Sequence, residues 1–467
     1  MPLTVTAAAA ALRAGELSAV DLMRAVQRRS AALDPMLGIC LARDDEAALA
    51  AAAVADEALA AGDDLGPLLG IPLGVKDNIA TAGLPTTAQS RVLDPAFGAQ
   101  GDAVAIARLR AAGGIIVAKS TTMEFALGAP DDSKGFPSPR NAFDPQRWAG
   151  GSSSGTASGV AAGVFLAGLG TDTGGSIRMP AGWNGISGLR PTYGLVPKSG
   201  SVPMAWTFDT IGPMARSARD CAILLSALAG YDASDRSSAK AANVDYVAAL
   251  TGSVEGLRVG VDRRLMAREG SDPTVQQLAE DALAVLQAGG AVVVDVELPW
   301  YDLLGIVVVV GMAAESATYH QEDLRSRWAD YGAPARLTLA TAAQLNGTDY
   351  LQAQRVRREG IRQATALFAD VDVVVSPTAK LACPPISASS TMTMGGSPSN
   401  TRYWAALGFP AMSIPMGSND SGLPLGLQLA GRPFDEATVL RAADYLQAQT
   451  AHHLVESPVV TAALATA

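Results

Sequence analysis

Apolar and polar positions along this chain follow two periods in turn. "LSAVDLMRAVQRR" sets its apolar residues at helical spacing, with Ser18 followed three residues later by Asp21, and predicts a capped amphipathic helix. "DEAALAAAAVADEALAAG" predicts another helix. "GIPLGVKDNI" reads as a short buried strand edged by turn residues, and "AVAIARLRAAGGIIVAKS" as a helix, a Gly-Gly stop and a strand. After "CAILLSALAGYD" comes the polar connector "ASDRSSAKAAN". Beyond it, "GLRVGVD", "PTVQQLAEDALAVLQAGG" and "AVVVDVEL" repeat strand, helix, strand. A long helical section runs to about Asp370, followed by "VDVVVSPTA". "PAMSIPMG" and "PLGLQLAG" read as paired core strands and "DEATVLRAADYLQAQT" as a closing helix. No internal repeat emerges. This alternation predicts an α/β fold. The expectation is a single large domain, with a central mixed, twisted β-sheet covered by helices on both faces.

Composition narrows the partners. The chain has 467 residues, 49% of them hydrophobic and 17% charged, enough to bury a large core. A net charge of −10 and no run of lysines or arginines argue against nucleic acid as a direct partner. Cys40, Cys221 and Cys383 show no CxxC spacing, and His320, His452 and His453 form no HExxH cluster. Neither a disulfide framework nor a metal site is expected, no cofactor is implied, and a reducing, cytoplasmic setting fits. "MPLTVTAAAAALRAGELS" lacks a basic leader and reads as a short helix rather than a signal peptide. From Trp148 to Thr171 there is no charge, and Gly155, Gly159 and Gly163 repeat a small-xxx-small spacing. Its apolar part is too short for a bilayer, so a buried helix packed through glycine faces is expected and no membrane span.

Candidate chemistry sits in "GVKDNI", "GGSSSGTASG" and "DTGGSIRMPA". A serine hydroxyl is a weak nucleophile until a base takes its proton. Lysine can serve if burial brings it well below its ordinary value of about 10.4. Lys76 stands beside Gly74, Val75 and Ile79 in an apolar segment, although taken alone a lysine there reads as a surface residue or a partner of Asp77 before it reads as a base. In the third stretch, Gly174 and Gly175 let the backbone turn sharply. The N–H groups of Thr173, Gly174, Gly175 and Ser176 can then converge as an oxyanion hole. Asp172 and Arg178 fit a structural pair that braces this loop.

Together these stretches resemble the amidase signature family, whose triad is a serine, a cis-peptide serine and a lysine. "GGSSSGTASGVAAGVFLAGLGTDTGGSIRMPA" follows the family's order of a glycine- and serine-rich segment, a small-residue helix and a nucleophile loop. The lysine motif, "SGLRPTYGLVP", "DTIGPMARSARD" and "GFPAMSIPMG…GLPLGLQLAG" also match in order, so the resemblance spans nearly the whole chain. It implies Ser176 as nucleophile, Ser152 as the bridging serine and Lys76 as base. Ser154 departs from the usual glycine and leaves Ser153 as the alternative bridge. It also implies one amidase signature domain over residues 1–467: a core at about 65–230, a connector at about 231–243 and a C-terminal part from 244. The implied activity is hydrolysis of a carbon–nitrogen amide bond through an acyl-enzyme. The alternatives are the A-type glutaminase subunit of a tRNA-dependent amidotransferase, or a carbamate- or urea-type hydrolase.

Two other motifs compete. "GSSSG" fits a nucleophile elbow with Ser153, and His452 or His453 as base, but the preceding "NAFDPQRWAG" is not a buried strand. "SSAK" at Ser237 to Lys240 lies in the polar connector. Loops bearing Met123 and Phe125, Met204 and Trp206, and Tyr403 and Trp404 are apolar and aromatic, and suggest a small uncharged amide, anilide or carbamate as substrate, although each of these residues reads equally as ordinary core. Arg402 either recognises a carboxylate or faces solvent. A homodimer is the assembly considered for a stand-alone enzyme.

Overall fold

Among the described residues, eleven strands form one sheet. In chain order they are β1 (Cys40–Arg43), β2 (Pro72–Lys76), β3 (Ile115–Ser120), β4 (Ala167–Asp172), β5 (Ser187–Arg190), β6 (Thr210–Ala215), β7 (Arg258–Val261), β8 (Val292–Asp295), β9 (Val373–Pro377), β10 (Ala411–Ser418) and β11 (Pro424–Gly431). The computed structural model describes residues 3–99, 101–389 and 399–466. Across the sheet the order is β1-β3-β2-β4-β6-β5-β10-β11-β9-β7-β8. The runs β3-β2-β4 and β9-β7-β8 are parallel, and the middle is antiparallel. The expected mixed α/β sheet flanked by helices is therefore present.

Local signals explain most elements. Ser18 caps the Ala19–Leu37 helix by accepting the Asp21 N–H at 3.0 Å. β10 and β11 pair antiparallel as expected, with Ile414 opposite Leu427. The uncharged stretch divides into a helix, Ser154–Ala162, and β4. All nine helix residues are buried. A Cβ at Gly155 would collide with Thr121, and one at Gly159 with the Phe165 ring, so the small residues serve tight packing within the protein. Among the described residues, one helix, Tyr301–Tyr319, is long and apolar enough to cross a membrane by length and composition. It packs against the helices Ala333–Ala342, Gly347–Leu367 and Arg402–Leu407.

The sheet register places the site. β2 and β4 are parallel neighbours, with Gly74 opposite Gly168 and Val75 opposite Leu169. Their carboxyl ends, at Lys76 and Asp172, therefore open side by side. The carboxyl ends of parallel strands are where α/β sheets form crevices.

Candidate active site

Lys76 ends β2 with its side chain fully buried. Its Nζ donates to Ser152 Oγ at 2.7 Å and to Thr171 Oγ1 at 2.7 Å. Thr171 Oγ1 also accepts from Asn78 Nδ2 at 3.0 Å, so the asparagine fixes the group that fixes the lysine. An ammonium taken out of water loses hydration, which disfavours its charged form. Burial accordingly pulls Lys76 from 10.5 down to about 7, against an opposing pull from the Asp172 and Asp209 carboxylates. Lys76 is thus neither at the surface nor paired with Asp77. Asp77 instead lies 3.7 Å from the Nζ of the equally buried Lys119.

The serine cluster meets this lysine just before the Ser154–Ala162 helix. The Gly151–Ser152 peptide is cis, and Ser152 O accepts from Thr122 Oγ1 at 2.8 Å. Ser153 is turned to other work. Its Oγ donates to Thr171 O and accepts the Thr171 N–H, both at 3.2 Å. Its N–H donates to Ser176 O at 3.1 Å and ties the two loops together. Ser152, rather than Ser153, therefore carries the hydroxyl beside Lys76. Ser154 Oγ donates to Gly150 O, closing the start of the turn.

Ser176 lies between β4 and the short helix Arg178–Trp183. Gly175 has φ +137°, and a Cβ there would overlap Thr401 Oγ1, which itself donates to Gly174 O at 2.7 Å. The N–H groups of Thr173, Gly174, Gly175 and Ser176 donate to no other backbone carbonyl among the described residues. Asp172 and Arg178 form a buried two-point ion pair at 3.0 Å and 3.0 Å, and Arg190 Nη1 adds a contact at 3.1 Å. Burial alone would raise the Asp172 carboxyl, but Arg178, Arg190 and the Ile177 N–H outweigh it and hold it well below the usual range. Arg178 also donates to Thr401 O and Gln428 Oε1, both at 2.8 Å, and so anchors the loop to β11.

Above Ser176 is a cavity of about 100 Å³, lined in part by Gly151, Gly174, Gly175, Met123, Met204 and Arg402. Met123 is thus in the lining, whereas Phe125, Tyr403 and Trp404 are buried in the neighbouring apolar core. Tyr403 stacks on Tyr301 at 5.4 Å. Trp206 is 41% exposed and walls a separate cavity of about 560 Å³. Thr171, Asn78, Trp148, Met312 and Thr401 escaped the sequence reading. Thr171 stood in a recognised motif, but nothing in the spacing marks Met312, which arrives on the distant Tyr301–Tyr319 helix. His452 and His453 lie in a turn outside the cavity lining.

The family described as Amidase matches residues 21–440. The chain belongs to the amidase family. It is 41% identical to the A-type subunit of the glutamyl-tRNA(Gln) amidotransferase of Chloroflexus aurantiacus, over 97% of this chain and 97% of that one. Its fold is similar to the peptide amidase of Stenotrophomonas maltophilia, with a TM-score of 0.84 and 32% identity over 96% of this chain and 97% of the other. It is also similar to a chain from a vestigial protein complex described as revealing the origins of an s-triazine catabolic enzyme. There the TM-score is 0.89 and the identity 30%, over 96% and 99% of the two chains. Membership in the amidase family makes the chain an amidase-type hydrolase.

Proposed function

We propose that the chain cleaves a carbon–nitrogen amide bond through an acyl-enzyme on Ser176, with Ser152 relaying the proton to Lys76. The observation that carries this reading is the buried contact of 2.7 Å between Lys76 Nζ and Ser152 Oγ, next to a loop that presents Ser176 to a cavity. Near neutral pH a substantial share of Lys76 is uncharged, because burial holds it at about 7. Neutral Lys76 takes the proton of Ser152 as Ser152 takes that of Ser176. Ser176 Oγ attacks the carbonyl carbon, and the oxyanion forms against the N–H groups from Thr173 to Ser176. Each such donor contributes on the order of a hundred- to a thousandfold in rate. The proton returns along the relay to the nitrogen, which leaves as the amine or as ammonia. Water then hydrolyses the ester.

Between a stand-alone amidase and the A-type glutaminase subunit of a tRNA-dependent amidotransferase, the curated relatives favour the A-type subunit. In that setting the amide is the side chain of glutamine, and the ammonia passes to a partner. The test is ammonia release by the isolated chain from glutamine and from simple amides, anilides and carbamates, with wild type beside Ser176→Ala. Mass spectrometry after a serine-reactive fluorophosphonate locates the nucleophile. A label on Ser153, or a Lys76→Ala protein active at neutral pH, overturns the mechanism. Fast turnover of simple amides by the isolated chain overturns the subunit setting.

A further inference from the structure

The cavity above Ser176 is rich in donors, and no acidic side chain is among the described residues that line it. Arg402 is the single ionisable side chain among the described residues that line it. Trp148 lines it too, and its buried indole N–H has no hydrogen-bond partner among the described residues. The other side chains of the lining are apolar or hydroxyl-bearing, with methionines at positions 123, 179, 204 and 312. A buried site of this kind is satisfied by a ligand whose polar groups accept hydrogen bonds. A guanidinium offers five N–H donors in a fork that matches a carboxylate, and it retains donors for a ligand while making other contacts. The thioethers fit a short apolar link, because methionine adapts its shape to what it packs against.

We propose that Arg402 forms a carboxylate subsite, so that the substrate is a small amide carrying a carboxylate at the end of a short methylene chain. This rests on Ser176 being the nucleophile, and it departs from the uncharged substrate suggested by the aromatic loops. Glutamine meets the carboxylate requirement. The described lining offers no carboxylate for its ammonium, so the same molecule without the amino group, glutaramate, is expected to react at least as well.

The test compares glutaramate, glutamine and pentanamide, which has the same chain length but no carboxylate. For wild type, kcat/KM for glutaramate exceeds that for pentanamide by about tenfold or more, the scale set by a hydrogen bond to a charged group. In Arg402→Met this ratio collapses toward one through KM, and Arg402→Lys recovers part of it. A wild-type preference for pentanamide, or an unchanged ratio in Arg402→Met, overturns the proposal. Calorimetry of glutaramate binding to Ser176→Ala, with and without Arg402→Met, reads the subsite without turnover. Equal affinity in the two proteins overturns the subsite. An active Ser176→Ala protein instead overturns the nucleophile and leaves the carboxylate comparison intact.

Discussion

The charge on Lys76 is the most exposed point of the proposed mechanism. Burial moves this group from 10.5 to about 7, a difference worth roughly 5 kcal/mol at 1.36 kcal/mol per pH unit. At pH 7 about half of Lys76 is then neutral, against roughly three parts in ten thousand for an ordinary lysine, a gain on the order of a thousandfold in available base. The rate of amide cleavage, followed as ammonia release, is expected to rise about tenfold per pH unit below 7 and to level off above it. The same shift bears on stability. Between about 7 and 10.5 the unfolded chain holds a proton that the folded chain lacks, so this group's contribution to stability rises with pH across that window. Below 7 both states are charged, and the folded state carries the whole cost of the buried ammonium. Lys76→Met removes that cost, so its advantage in urea unfolding should be largest below pH 7 and shrink as pH rises toward 10. A rate profile flat from pH 5.5 to 9, or a Lys76→Met advantage that does not change with pH, would refute the assignment.

Three further outcomes follow from the site's contacts. Thr171→Val removes the acceptor that holds Lys76 Nζ at 2.7 Å; kcat should fall by about tenfold or more, and the acid limb of the rate profile should move to lower pH. Asp172→Asn leaves Arg178 and Arg190 buried against a neutral group, at a cost of about 3–5 kcal/mol visible in the denaturation midpoint; an unchanged midpoint would show that the pair contributes little to stability. Replacing His452 and His453 together by alanine should leave activity near wild type, and a large loss would return the nucleophile-elbow reading to contention.

Much of the architecture was legible because its signals are local. The Ser18 cap, the Gly-Gly stop before β3 and the β10–β11 pair each declare themselves within a few residues. β5 and β6 did not. β5 is only four residues long, and β6 carries Gly212-Pro213, which reads as a turn although tertiary pairing with β4 holds it extended. The pocket was least legible of all. Phe125, Tyr403 and Trp404 have the composition of a binding site, yet they fill the apolar core beside it, where large aromatic surfaces gain more from burial. What brings Met204, Met312 and Arg402 together over Ser176 is the packing of elements far apart in the chain, which no local spacing records.

The glycines of "GTDTGGSIR" show how one motif can hold several separate requirements. Sequence reasoning assigns the sharp turn to Gly174 and Gly175 jointly, but only Gly175 has the φ, +137°, that disfavours a side chain. Gly174 has no such φ, and a Cβ there would sit 3.3 Å from Met312 Sδ, at the cavity wall. Gly170 answers a third demand. A Cβ at that position would lie 2.7 Å from Ser153 Oγ, the hydroxyl that ties the serine loop to Thr171. Any side chain at residue 170 would push the serine loop away from the strand that carries Thr171, the residue that also holds Lys76. Close approach at Gly170 therefore keeps Ser152 within reach of Lys76, and the turn at Gly175 keeps Ser176 in the cavity. The proposed relay depends on both, even though neither glycine takes part in moving a proton.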